Sequence, residues 1–252
     1  MSAEIKTALK HVESFYPARL HSFLEHDRLR IEWQIEQVLA SVPRGGTILD
    51  IGSGLTSFSP TLQVLGYKVT MVDDYGDNPH KHDDVDQLLA NFKKIGTNVE
   101  IANMFAPDFA KRFSGSNMIT MFDVMEHMHN SPKTLLQELY AGLSAGGVLW
   151  VSTPNCVNLR KRITGLLGRN KWSHMADWYE QKIFRGHVRE PDIDDLHYIA
   201  RDLGARDYQV KGCNWIGYNS PKPYIRLLTP ILDPVMRLRP GLCSDIHLIA
   251  RK

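Results

Sequence analysis

Two short stretches collect the residue types that move protons or hold ions. The first, Asp123-Val124-Met125-Glu126-His127-Met128-His129, sets two acids beside two imidazoles. The second, Phe184-Arg185-Gly186-His187-Val188-Arg189-Glu190, places another imidazole among charged groups. An imidazole needs little pKa shift to accept a proton near neutrality, so His127 is a candidate general base, with Glu126 and His187 as its candidate companions. The competing reading is that Glu126 and His127 cap and brace a loop. His129 reads as solvent-facing.

Such residues act only if something positions them. Short β-rich runs at Thr47–Ile51, Lys68–Val72, Asn98–Ala102, Met118–Phe122 and Val148–Ser152 alternate with helical stretches, the pattern of a parallel sheet covered on both faces. Closing strands are expected near Tyr208–Lys211 and Asp245–Ala250. The first polar stretch therefore falls directly after the fourth strand. The second falls just before a helix expected over Asp192–Leu203, whose Ile193, Leu196, Ile199 and Ala200 share one face. Before all of this, Glu4 to about Leu39 reads as helices ending at Pro43-Arg44-Gly45-Gly46. We expect residues 1–45 to form a helical lid or brace. Residues 46–252 then make one α/β domain, with substrate-specificity insertions near 156–190 and 217–243.

Ile48-Leu49-Asp50-Ile51-Gly52-Ser53-Gly54 is an apolar strand running into a glycine turn, with a helix expected from about Ser57. In an open α/β sheet that turn lines a crevice where nucleotide-like ligands bind. Glycines let a ligand approach the main chain, and Asp50 can orient the turn or meet a cationic ligand group. Val69-Thr70-Met71-Val72-Asp73-Asp74 then ends a second strand in carboxylate, about 20 residues on, where a ribose-binding acid belongs. Asp73 is the candidate ligand, and Asp74 reads as a solvated strand end.

With these residues in place, the chain resembles the class I methyltransferases over Thr47–Asn155. The supporting segments are the strand-acid-glycine turn, the acid closing the second strand, Phe122 to His127, Leu143-Ser144-Ala145-Gly146-Gly147 and Val151-Ser152-Thr153-Pro154-Asn155. The resemblance implies a Rossmann-like α/β fold, with a mostly parallel seven-stranded sheet, helices on both faces and an N-terminal helical extension. It also implies S-adenosylmethionine as cofactor. Asp50, Gly52, Ser53 and Gly54 would hold its amino-acid end, Asp73 its ribose, Asn103 and Met104 its adenine, with Asp123 close by. Thr56 stands where the family often has a third glycine, and Asn103 where an acid is more usual. A nicotinamide is the competing ligand, against which the Glu-His and Thr-Pro-Asn segments argue.

Asp-x-x-Glu-His followed much later by a lone His before a helix resembles ubiquinone-pathway O-methyltransferases and small-RNA 2′-O-methyltransferases, some of which use a divalent ion to activate a hydroxyl. By that resemblance Asp123, Glu126, His127 and His187 would be metal ligands, for magnesium or, given two imidazoles, another divalent ion. Without an ion, His127 would be the base. Asn158-Leu159-Arg160-Lys161-Arg162, continuing to Arg169 and Lys171 with Trp172, Trp178 and Tyr179 behind, reads either as a phosphate- and sugar-binding stretch or as a solvated helix face with core aromatics. Together with Gly-His-Val-Arg-Glu it looks like methyltransferases of bacterial polysaccharide and glycolipid pathways. The implied acceptor is a saccharide or glycolipid hydroxyl. A quinone-type phenol or other small molecule is the alternative, and a non-catalytic scaffold is the reading from another class.

Composition limits the partners. Thirty Lys+Arg against 28 Asp+Glu give +2, which removes the case for a dedicated nucleic-acid binder. Cys156, Cys213 and Cys243 are widely separated and suit a reducing compartment. With neither a leader-like start nor a spanning apolar run, the expectation is a cytoplasmic protein, or one at the inner membrane surface if its acceptor is lipid-linked. Tyr224 to Leu238 mixes apolar residues with arginines. It reads first as a pocket lid or a homodimer contact and second as a peripheral membrane surface, with Pro230 and Pro234 expected to break any long helix.

Overall fold

The computed structural model describes residues 2–76, 83–169 and 175–252. In chain order these hold α1 (Ala3–Glu13), α2 (His21–Ser41), β1 (Thr47–Ile51), α3 (Phe58–Val64), β2 (Lys68–Asp73), α4 (Asp83–Lys94), β3 (Asn98–Ile101) and β4 (Met118–Phe122). Then follow α5 (Lys133–Gly142), β5 (Val148–Pro154), α6 (Leu159–Leu166), α7 (Met175–Tyr179), α8 (Ile193–Asp202), β6 (Asp207–Cys213), α9 (Pro223–Arg237) and β7 (Asp245–Arg251). The strands form one mostly parallel sheet in the order β3-β2-β1-β4-β5-β7-β6. Thr47 pairs with Lys68 and Thr70 with Asn98 in the parallel part, whereas β6 and β7 run antiparallel from Asp207 opposite Arg251 to Cys213 opposite Asp245. Strand order reverses after β1, and in open α/β sheets such a reversal marks where ligands bind.

The chain divides into two compact units. One runs to Thr120 and takes in Glu138–Leu149 and Lys252, and the other comprises Met121–Gln137 and Trp150–Arg251. In the first, Ser2 caps α1 by accepting the Ile5 N–H, and the helix buries Ile5, Ala8, Leu9 and Val12. Val12, Tyr16, Leu20 and Leu24 pack with Met71, Leu88, Phe92, Val99 and Leu55, the residue after the glycine turn. The N-terminal helices thus share the core that supports the turn.

In the second unit α8 begins at a capping box. Asp192 accepts the Asp195 N–H at 3.0 Å, and Asp195 accepts the Asp192 N–H at 3.2 Å. Buried Asn155 donates to the carbonyls of Gly241 (3.0 Å) and Cys243 (2.9 Å), so the Thr-Pro-Asn segment fastens β5 to the chain ahead of β7.

Helix α9 departs from expectation, because it runs unbroken through Pro230 and Pro234. Each proline deprives a carbonyl four residues earlier of its helical N–H. Both are exposed, so water can satisfy those carbonyls. The helix is held by Asp233, 3% exposed, which accepts from Asn214 Nδ2 at 2.8 Å, Tyr218 Oη at 3.0 Å and Arg237 Nε at 2.9 Å. Asp233→Ala, which strands the buried ends of that network, is expected to lower stability by about 3 kcal/mol in urea unfolding.

Candidate active site

The crevice at the end of β1 is shaped by backbone. Gly52 and Gly54 have φ of +66° and +53°, which side chains disfavour. Gly52 N–H donates to Val72 O at 2.8 Å, tying the turn to β2. Asp73 secures it further: Oδ2 accepts the Gly54 N–H at 2.8 Å and Oδ1 the Tyr75 N–H at 2.7 Å. It is half-buried, and each oxygen keeps lone-pair capacity for a ligand hydroxyl. Ser53 is buried in the turn. Asn103 is exposed and its Oδ1 accepts the Phe105 N–H at 2.9 Å, while Met104 is half-buried.

Asp50 finds its partners in α3 and β4. It is 3% exposed, and its carboxylate accepts from Ser59 Oγ and Thr120 Oγ1, both at 2.7 Å. Burial pushes its pKa up to about 6 against the pull of those hydroxyls, with the charge of Asp73 adding to the rise. The unfolded acid titrates near 4, so its contribution to stability is full below pH 4 and lost as pH rises through 6, by about 3 kcal/mol. Asp50→Asn is expected to remove that fall, seen by comparing denaturant midpoints of the two proteins from pH 4 to 7.

In the second unit the two polar stretches of the sequence are stitched together. Val188 N–H donates to Glu126 O at 2.6 Å and Arg189 N–H to the same carbonyl at 3.2 Å. His127 Nδ1 lies 2.7 Å from Arg185 O, and His129 Nε2 lies 3.2 Å from Phe184 O. His129 is exposed, yet it fastens this loop. The carbonyl facing His127 can only accept, so Nδ1 carries the proton and Nε2 keeps its lone pair. His187 is set the same way, its Nδ1 lying 2.7 Å from Glu190 Oε1. Burial raises the Glu190 carboxyl, but hydrogen bonds from His187 and Lys161 outweigh it and hold it below the usual range.

Ligand atoms of Glu126, His127 and His187 all lie within 4.8 Å of one another, and the two rings meet edge to face with centroids 4.8 Å apart. Glu126 is fully buried, and neither carboxylate oxygen has a hydrogen-bond partner. Burial above all, with the charge of Asp123, pushes its pKa up to about 9, and its own backbone N–H and the nearby Thr153 hydroxyl offset only part of this. Among the described residues this is the one such group that could hold a metal ion.

Asp123, the expected fourth ligand, stands outside the group. Its Oδ1 accepts from Ser152 Oγ at 3.3 Å, its N–H bonds Ser152 O at 3.1 Å, and its φ is +55°. It serves as the corner between β4 and the Glu-His turn. Lys161, which the sequence left open between a phosphate-binding run and a solvated helix face, is ion-paired with Glu190. Glu190 itself escaped the sequence reading as a site residue, although its place three residues after His187 was the available signal. Trp178 and Tyr179 are 58% and 77% exposed, not core aromatics, and Lys171 and Trp172 lie outside the described residues.

Strand order, glycine turn and strand-end acid define a class I S-adenosylmethionine-dependent methyltransferase. A model of the methyltransferase-domain family matches residues 23–210, and the chain belongs to that family. It is similar in fold to an S-adenosylmethionine-dependent methyltransferase of Archaeoglobus fulgidus, at 18% identity and a TM-score of 0.54 over 92% of this chain and 100% of that one. A Thermotoga maritima methyltransferase gives 15% and 0.56 over 97% and 99%, and the magnesium protoporphyrin IX methyltransferase of Synechocystis 13% and 0.56 over 90% and 84%. No curated protein sequence matches the chain.

Proposed function

We propose that this chain is an O-methyltransferase acting on a hydroxyl of a saccharide or glycolipid, with Glu126, His127 and His187 holding a divalent ion. The observation that carries the reading is the Glu126 carboxylate, fully buried, unpartnered and grouped with two imidazoles. Buried charges persist when paired or on a metal. Histidine ligands give their other ring proton to a carbonyl or carboxylate, as His127 and His187 do. Two nitrogens and one carboxylate suit zinc, manganese or iron better than magnesium. When bound, such an ion would lower the pKa of an acceptor hydroxyl.

The chain's other task is alignment. Methyl transfer from a sulfonium is an in-line displacement, in which positioning supplies roughly 7 to 11 kcal/mol of the barrier. The backbone of Gly52, Ser53 and Gly54 would hold the amino-acid end of S-adenosylmethionine, Asp73 its ribose hydroxyls, and Asn103 with Met104 its adenine. Asp73→Ala, losing charge-assisted hydrogen bonds and the clasp on Gly54, is expected to weaken S-adenosylhomocysteine binding about a hundredfold in calorimetry.

The saccharide is favoured by exposed Trp178 and Tyr179, whose faces suit a sugar ring, together with the resemblance of the flanking segments. Labelled cofactor offered with saccharide, glycolipid and phenolic acceptors tests this. Transfer to phenols alone overturns the acceptor class, and failure to bind S-adenosylhomocysteine overturns the methyltransferase reading.

A further inference from the structure

Helix α9 is anchored inside out. Its buried side chain is the polar Asp233, whereas Leu227, Leu228, Ile231, Leu232, Val235 and Leu238, spaced as one helical stripe, are 46% to 82% exposed. Helix α6 and the residue after it add Ile163, Leu166 and Leu167, at 51%, 89% and 67%. Between the two helices lies a groove of about 430 Å³ lined largely by apolar residues, Ile163, Leu228 and Leu232 among them. A continuous apolar surface of this kind marks an interaction site.

Charge identifies the partner. Arg160, Arg169, Lys222, Arg226 and Arg239 lie within or next to these two helices, all exposed, and among the described residues none has a carboxylate partner. Residues 158–169 contain no acid, and Asp233, buried, is the one acid in 222–239. An isologous dimer would set these cations against themselves. Lipid phosphates would neutralise them while the acyl boundary accepts the stripe. No helix of the described residues is long and apolar enough to cross a membrane, so the contact is interfacial.

We propose that the α6–α9 face docks on the anionic surface of a lipid bilayer. This goes beyond the acceptor reading and does not depend on it.

The test is flotation of the full chain with phosphatidylcholine vesicles, with and without phosphatidylglycerol. The chain should float with the anionic vesicles, less so at high salt, and not with phosphatidylcholine alone. Leu227→Asp with Ile231→Asp should cut partitioning by about tenfold or more. Arg226→Glu with Arg239→Glu should cut it similarly, since each cation near the surface is worth roughly fivefold. Both variants should keep circular dichroism and S-adenosylhomocysteine affinity, which also separates failure here from failure of the methyltransferase reading. Absent flotation, or flotation indifferent to the aspartates, overturns the proposal. So does light scattering that finds a dimer which the aspartates dissociate, because a second copy would then cover the face.

Discussion

Chelation of divalent ions is expected to slow methyl transfer by about three orders of magnitude, with S-adenosylhomocysteine affinity unchanged, and His187→Ala is expected to do the same. The size follows from the several kcal/mol by which a metal favours an oxyanion, at about 1.4 kcal/mol per factor of ten. The separation follows from placement. Gly52, Gly54 and Asp73 belong to one compact unit, whereas Glu126, His127 and His187 belong to the other, stitched there by the bond of His127 to the Arg185 carbonyl and by those from the Val188 and Arg189 N–H groups. Add-back of zinc, manganese and magnesium to the chelated enzyme should restore turnover, with magnesium least effective because two of the three donors are imidazoles. Chelator-insensitive turnover would overturn the ion and leave proton removal to His127. His127→Ala would then cost a factor of about 10² to 10⁴ and His187→Ala much less.

The frame around these residues was largely legible because a buried parallel sheet writes itself as apolar runs. β1 and β4 coincide with the runs Thr47–Ile51 and Met118–Phe122. β2 extends one residue further, to Asp73, and β5 two further, to Pro154, because neighbouring strands rather than local pattern decide where pairing stops. The residue types of the Glu-His group were equally visible. Their convergence followed only from the family resemblance, since Val188 and Arg189 reach Glu126 through main-chain atoms that carry no sequence signal. Lys161 read as one more cation in a basic run, because its partner Glu190 is 29 residues away. Local rules failed outright at α9. Two prolines argue for a break, yet the burial of Asp233 among Asn214, Tyr218 and Arg237 holds the helix in place.

Glu126→Gln is expected to leave the ion-free protein at least as stable as its parent while abolishing the stabilisation that a saturating divalent ion confers. In the ion-free parent neither Glu126 oxygen has a well-formed hydrogen bond, and burial outweighs the pull of its own N–H and of the Thr153 hydroxyl, so the substitution removes little attraction. A carboxylate that merely braced the loop would behave in the opposite way, since breaking a buried polar contact costs about 3 kcal/mol. An ion present at about a thousand times its dissociation constant adds about 4 kcal/mol to the parent, which raises the melting temperature of a chain this size by roughly 10 °C. Glutamine keeps the shape of the side chain and offers a neutral amide oxygen in place of a charged ligand, so that gain should vanish. Thermal unfolding with and without zinc or manganese measures both quantities. A glutamine variant several degrees less stable without the ion would show that Glu126 is a brace. One that kept the ion-induced rise would show that the ion binds elsewhere. The paired outcome expected here is that of a residue whose burial is a cost to the empty protein and which persists because function requires it.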